Sequence, residues 1–160
     1  MKENLPVRKR NRLENYDYSQ DGAYYITVCV KDNHEILGDV AVGAAFCRPI
    51  IQLTEIGKIV ENEISVLSKI YDVLTVNEYI IMPNHVHMVL SIDRCGRQNA
   101  APTISRALGQ WKRVISMKIG YSIWQKSFYD RIIRDSKEYE NICRYIEENP
   151  QKWKDIYKNI

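Results

Sequence analysis

The order in which two hydrophobic periods alternate along the chain restricts its fold more than any other feature. In "AYYITVCV", residues 23–30, Tyr24, Ile26, Val28 and Val30 fall on one face and Tyr25, Thr27 and Cys29 on the other, the period of a strand. "LTEIGKIVENEISVLSKI" then sets Leu53, Ile56, Val60, Ile64 and Leu67 at helical spacing. "VLTVNEYIIM" and "HVHMVLSID" read as two strands joined at Pro83-Asn84, residue types that suit a tight hairpin. "TISRALGQWKRVISMKI" places Ile104, Ala107, Leu108, Trp111, Val114 and Ile115 on one helical face and its cations on the other. "QKSFYDRIIR" is a short strand, and Asp135 with Glu138 resembles a capping box that opens a last helix, which Pro150 is expected to close. Residues 34–52, with Gly38 and Gly43, form an excursion or hairpin, and residues 94–102 a loop.

The order β, α, β, β, α, β, α predicts an α+β fold. Its first six elements match a ferredoxin-like (RRM-like) βαββαβ antiparallel sheet with two helices on one face, and the added C-terminal helix is left to cover the other. At 160 residues this is one domain, 1–160, with residues 1–22 as a basic N-terminal arm. Such a length builds a core without metal or disulfide staples.

The chain has three histidines, and His85 and His87 stand one residue apart in "MPNHVHMVL". Side chains alternate along a strand, so these two share a face with Val89, Ser91 and Asp93. Val86, Met88, Leu90 and Ile92 form the apolar row that faces the two helices. The histidines therefore lie on the open face of the sheet, where two imidazoles at i, i+2 are placed to bind one metal ion. In "ENICRYIEENP" the apolar side of the last helix is marked by Ile142 and Ile146, while Tyr145 and Asn149, four apart, share a face. That pairs a phenol with an amide oxygen able to reach a metal.

The formal charge is only +3, so the distribution of cations carries more information than their sum. "VRKRNR" concentrates Arg8, Lys9, Arg10 and Arg12 near the start, and Arg106, Lys112, Arg113 and Lys118 lie on one predicted helix. Arg131 and Arg134 follow on the next strand. Basic arms and stripes are the footprint of phosphate binding, or of a solubilising surface. Eleven tyrosines against two phenylalanines favour half-wet surfaces and base stacking. Cys29, Cys47, Cys95 and Cys143 have no zinc-ligand spacing and read as reduced thiols of a cytoplasmic protein. No apolar run approaches membrane-spanning length, so no membrane partner is expected.

His85-Val86-His87 resembles the His-hydrophobic-His (HUH) signature of single-tyrosine HUH endonucleases. The surrounding "MPNHVHMVL" is similar to the form in REP-associated tyrosine transposases and related small insertion-sequence transposases. "YDYSQDGAYYITVCVKD", "LTEIGKIVE" and "WQKSFYDRIIRDSKEYENICRYIEENPQKW" resemble the same family, and together these stretches span almost the whole chain in order. The resemblance implies Tyr145 as catalytic nucleophile, His85 and His87 as metal ligands, and Asn149 as third protein ligand. Many relatives carry Gln at that last position, and Glu148 is an alternative to the shorter Asn149, which also precedes Pro150 and is thereby disfavoured in a helix.

It further implies Mg²⁺ or Mn²⁺ as cofactor, and cleavage and rejoining of hairpin-bearing single-stranded DNA through a 5′-phosphotyrosine. The chain is expected to act as a monomer or homodimer. The basic arm and the Arg106 to Lys118 helix are the expected hosts for phosphates. Tyr24, Tyr25, Trp124, Phe128 and Tyr129 are candidates to stack on bases, the last three being better placed under the final helix. Competing readings are a non-catalytic or domesticated RRM-like binder of single strands and a zinc hydrolase using the two histidines.

Overall fold

The computed structural model describes residues 20–41, 49–94 and 103–157. The arm residues Arg8, Lys9, Arg10 and Arg12, and Cys47 and Cys95, lie outside the described residues.

Four strands form one sheet: β1 (Gly22–Cys29), β4 (Leu74–Met82), β5 (His85–Ile92) and β6 (Tyr129–Ile133). Their order is β4-β5-β1-β6 with every neighbour antiparallel, the arrangement that a βαββαβ chain gives when its two crossovers lie on the same side. The excursion is a separate antiparallel hairpin, β2 (Gly38–Ala41) with β3 (Ile50–Leu53). Leu53 closes β3 rather than opening the helix; α1 runs Glu55–Ile70, because the Thr54 hydroxyl accepts from the Gly57 amide and sets the start there. Helix α2 (Ile104–Ile119) is capped by Thr103 and ends at Gly120, whose φ of +93° is the left-handed turn glycine allows.

Helices α1 and α2 cover one face. Tyr24, Ile26 and Val28 of β1 and Val86, Met88, Leu90 and Ile92 of β5 pack there against Val60, Ile64, Leu67, Leu108, Trp111 and Ile115. Trp124 and Phe128 join this core, with Trp124 against Trp111 at 5.1 Å between ring centroids. They do not pack under the last helix, because Trp124 bridges to Val30 and so turns toward the α1/α2 face. Tyr24, Trp124 and Phe128 are thereby closed to bases, while Tyr129 stays exposed.

The last helix, α3 (Ser136–Tyr157), crosses the opposite face. Ile142 and Ile146 meet Val89 and Ile133 in a second, smaller core with Ala23, Tyr25, Ile80 and Tyr139 around it. The expected cap is present: Asp135 Oδ1 accepts from the Glu138 amide at 2.8 Å, and Glu138 Oε2 accepts from Arg134 N at 2.9 Å. Pro150 does not close α3. It lies inside the helix, and Asn149 before it is helical too. A mid-helix proline costs about 3 kcal/mol, while each well-buried apolar side chain returns about 1.5–3 kcal/mol. Ile146 before the proline and Trp153 after it both rest on the sheet side, which offsets the missing amide.

Candidate active site

The β4–β5 connection is the two-residue turn Pro83-Asn84, with Met82 opposite His85. Its backbone is held from outside: Leu37 N donates to Pro83 O at 2.9 Å and Val30 N to Asn84 O at 2.8 Å. The Asn84 side chain works in both directions. Its Nδ2 donates to Asn33 O at 3.3 Å, and its Oδ1 lies 2.6 Å from His85 Nδ1. An amide oxygen only accepts, so His85 carries its proton on Nδ1 and presents a lone pair at Nε2.

His87 is anchored from β1. Its Nδ1 lies 2.8 Å from both the Tyr25 hydroxyl and Thr27 Oγ1, groups that β1–β5 pairing brings alongside. The two Nε2 atoms face each other at 3.0 Å. With His85 Nε2 an acceptor, His87 donates Nε2–H across that gap and its Nδ1 accepts from the hydroxyls. Transfer of that proton to Nδ1, where the hydroxyl oxygen of Tyr25 or Thr27 can accept it, leaves the ring neutral and sets two Nε2 lone pairs facing each other.

The histidines occupy the sheet face opposite α1 and α2, as the alternation predicts, and α3 covers that face as expected, closely enough to leave His87 only 6% exposed. Burial disfavours the imidazolium. It lowers His85 to about 4 and, aided by the neighbouring His85, His87 to about 3. Both rings are neutral at physiological pH, the form that ligates metal. Burial also pushes the Tyr25 phenol up to about 12, keeping it a hydrogen-bonding hydroxyl.

Successive turns of α3 bring Tyr145, Asn149 and Trp153 over this pair. The Tyr145 ring sits edge-on to His87 at 5.7 Å and to Tyr25 at 6.4 Å, and Trp153 reaches His85 at 5.6 Å. Asn149 lies between these two contacts, 6% exposed, its Nδ2 without a hydrogen-bond partner among the described residues. Nδ2 is a donor and does not bind a metal, so any ligand role of Asn149 falls to its Oδ1. Glu148 is turned outward and pairs with Lys152 at 3.0 Å, and no cluster of three His, Cys, Asp or Glu that could hold a metal exists among the described residues. Tyr145 itself is 42% exposed, with Lys152 Nζ 4.7 Å above its ring. The phenol is thus anchored at the ring and open at the site. Tyr139 is directed instead toward Cys143 and Glu78, away from the histidines.

The α2 cations stand on the far side of the sheet. Lys112 Nζ donates to Gln125 O at 2.5 Å and Ser127 O at 3.2 Å, and Lys118 pairs with Glu63. Arg106 and Arg113 are exposed, bordering a shallow hollow with Gly109 and Met117. On the histidine side an open cleft of about 800 Å³ runs from Thr27, His87 and Tyr145 to Arg131, Arg134, Lys137 and Asn141. Asn84, Thr27 and Trp153 are site residues that sequence reasoning passed over. Asn84 carried a signal, since asparagine beside a turn bonds locally. Thr27 became visible only with the β1–β5 register.

No protein-family model matches the chain. An uncharacterized protein of Haemophilus influenzae is 26% identical, the alignment covering 91% of this chain and 89% of that protein. Among solved structures, the REP-associated tyrosine transposase bound to a REP hairpin superposes with a TM-score of 0.65 at 19% identity, over 88% of this chain and 74% of its own. A candidate transposase from Deinococcus radiodurans superposes with a TM-score of 0.51 at 17% identity, over 86% of this chain and 95% of its own. The chain therefore has the fold of these transposases. Among the described residues no helix is long and apolar enough to cross a membrane.

Proposed function

We propose that this chain is a single-tyrosine HUH transposase that cleaves and rejoins single-stranded DNA bearing a hairpin. The observation that carries the reading is the seating of the Tyr145 ring 5.7 Å from His87, whose Nε2 faces that of His85 at 3.0 Å. A nucleophile and a pair of metal-ligating nitrogens converge from elements far apart in sequence. The superposition with a transposase that holds a REP hairpin supports DNA as the substrate class.

His85, His87 and Asn149 would hold one divalent ion, Mg²⁺ or Mn²⁺, which when bound neutralises charge that builds on the phosphate in the transition state. The remaining chemistry belongs to the chain. Tyr145 Oη attacks phosphorus and forms the tyrosyl–phosphate bond as the bond from phosphorus to the 3′ oxygen breaks. In the balance of the step, the phenolic proton is matched by the one gained at the new 3′-hydroxyl. The phosphodiester energy is kept in the covalent intermediate, so a second 3′-hydroxyl can reverse the step without ATP. A water nucleophile would discard that energy.

The chain would act as a monomer or a homodimer. The reading places the protein in the cytoplasm with its DNA. Arg8, Lys9, Arg10 and Arg12 would add phosphate contacts. Arg106 and Arg113, exposed on the far face, would do so there.

The test incubates the protein with Mn²⁺ and labelled single-stranded hairpins from the flanks of its own gene, then resolves products under denaturing conditions. A covalent protein–DNA band that wild type forms and Tyr145→Phe does not form is the expected result. Binding without any adduct would leave a non-catalytic binder. An adduct retained by Tyr145→Phe would overturn the mechanism.

A further inference from the structure

The turn that follows β1 holds two side-chain-bearing residues in a conformation that suits glycine. Asp32 and Asn33 each have φ of +56°, and among the described residues they are the two non-glycine residues with positive φ. Aspartate and asparagine enter the left-handed region more readily than other side chains, but two in succession persist only where neighbours hold them. Two segments do so here. Val30 N donates to Asn84 O at 2.8 Å on one side, and Lys31 N donates to Ile123 O at 2.7 Å on the other. Gln125 Nε2 adds contacts to Val30 O at 3.3 Å and Asn33 Oδ1 at 3.5 Å, while the Gln125 carbonyl is itself held by Lys112 Nζ.

The left-handed pair sets the direction of one carbonyl. Asn33 O accepts from Asn84 Nδ2 at 3.3 Å. A backbone carbonyl has no proton to give, so it admits one orientation of the Asn84 amide. With that amide reversed, Asn84 Oδ1 would face Asn33 O, acceptor against acceptor. Asn84 Oδ1 is thereby directed at His85 Nδ1, 2.6 Å away, and the proton of the neutral ring belongs on that nitrogen. The lone pair is left on Nε2, the atom that faces His87. A ligating imidazole is fixed by what its other nitrogen bonds to, and here the determinant lies one residue further back, in the chain direction at position 33.

We infer that Asn33 and Asn84 are positioning residues for the reaction. The left-handed turn at Asp32-Asn33 orients the Asn84 amide, and that amide fixes the tautomer of His85 with Nε2 free for the ion. The inference rests on the metal-ligand reading above. Asn33 acts through its backbone carbonyl, so its side chain matters through the φ it permits; the 3.5 Å contact with Gln125 is at the limit of a hydrogen bond.

Long-range ¹H–¹⁵N correlation spectra of the metal-free, ¹⁵N-labelled protein at neutral pH report which nitrogen of each imidazole carries the proton. His85→Gln identifies the His85 signals. Wild type should show His85 with a protonated Nδ1 and a bare Nε2. Asn84→Ala should add the Nε2–H form and, by calorimetry, bind Mn²⁺ about 10–100-fold more weakly. Asn84→Asp keeps an acceptor at His85, so it should retain the tautomer and stay within a few-fold of wild-type affinity. At position 33, glycine permits positive φ and valine resists it. Asn33→Gly should therefore leave the His85 signals unchanged, and Asn33→Val should shift them as Asn84→Ala does.

A role in stability alone would lower the melting temperature without moving the ring proton. A wild-type His85 protonated at Nε2, or an Asn84→Ala spectrum matching wild type, overturns the inference. A folded Asn33→Val with the wild-type tautomer overturns the part given to Asn33. If Asn33→Val does not fold, the contrast between Asn84→Ala and Asn84→Asp decides. The expected tautomers in a wild type that binds no Mn²⁺ would instead overturn the metal reading on which the inference rests.

Discussion

The Tyr25 hydroxyl lies 2.8 Å from Nδ1 of His87, on the side of the ring away from His85, and Thr27 Oγ1 lies at the same distance from the same nitrogen. The two hydroxyls are alternatives for one hydrogen bond. Either alone can hold the ring, and their joint loss leaves a buried nitrogen without a partner. Tyr25→Phe and Thr27→Val should each reduce Mn²⁺ affinity only a few-fold. The double variant should reduce it about 10–100-fold, the usual cost of removing a support from a ligating histidine. Calorimetric titration with Mn²⁺ checks this; additive single effects would show that the hydroxyls do not substitute for one another.

The buried histidines make the metal-free protein acid-sensitive. Both have folded values, about 4 and about 3, below the ordinary 6.5. As pH falls, the unfolded chain takes up protons first, so stability is full above about pH 6.5 and declines through the window down to about 3–4. In EDTA the urea midpoint should be flat from about pH 7 to 8 and fall between about 6.5 and 4. Carboxylates titrate at the lower end of that range, so the informative quantity is the difference from His87→Gln, whose decline should be shallower. Parallel curves for the two proteins would mean that His87 does not stay neutral in the fold.

Much of this architecture is legible in the chain because two periods rarely mislead when they are sustained. The apolar row Val86, Met88, Leu90 and Ile92 determines which way the histidines face, and Ile142 with Ile146 determines how α3 lies. What the residues conceal is depth. Reading His85 and His87 as open-face side chains treats α3 as an addition, whereas its apolar residues form a second core that buries His87. Pro150 misleads for a related reason, since local propensity contains no term for the contact Trp153 makes with His85. Arg134 stands out in the sequence as a cation of the last strand, but that it and Lys137 share a cleft with Tyr145 depends on register. Their availability depends on which carboxylates the cap and the β6 edge consume.

Gly57 shows how the histidine turn depends on a distant contact. A Cβ there would lie 1.9 Å from the Leu37 carbonyl oxygen. That oxygen accepts from Thr54 N at 3.0 Å, and Leu37 N donates to Pro83 O at 2.9 Å in the turn before His85. Gly57→Ala gains about 1 kcal/mol of helix propensity, yet forcing α1 and Leu37 apart should cost more, for a net loss of about 2–4 kcal/mol. Displacing Leu37 also releases the Pro83 carbonyl, so Mn²⁺ affinity should drop with stability. Thermal melts and Mn²⁺ titration test both halves; a variant as stable as wild type would mean that the two segments are not held this close.

Asn149 separates the demands of folding from those of the site. Its Nδ2 is buried without a partner among the described residues, a situation that costs about 1–3 kcal/mol and that an ion held by Oδ1 does not relieve. Leucine has a similar shape and no polar atoms to satisfy, so Asn149→Leu should stabilise the metal-free protein by about 1 kcal/mol, raising Tm by about 2–4 °C. Added Mn²⁺ should reverse the ranking. Wild type gains about 2.7 kcal/mol when the ion is at 100 times its Kd, and Asn149→Leu, lacking the third protein ligand, should gain much less at the same concentration. Asn149→Asp places a charged oxygen where the amide stood, and should gain more than wild type. The three proteins melted with EDTA and with Mn²⁺ give the result directly. If Asn149→Leu melts lower than wild type in EDTA and gains as much from Mn²⁺, the amide is a structural residue and the third ligand must be sought elsewhere.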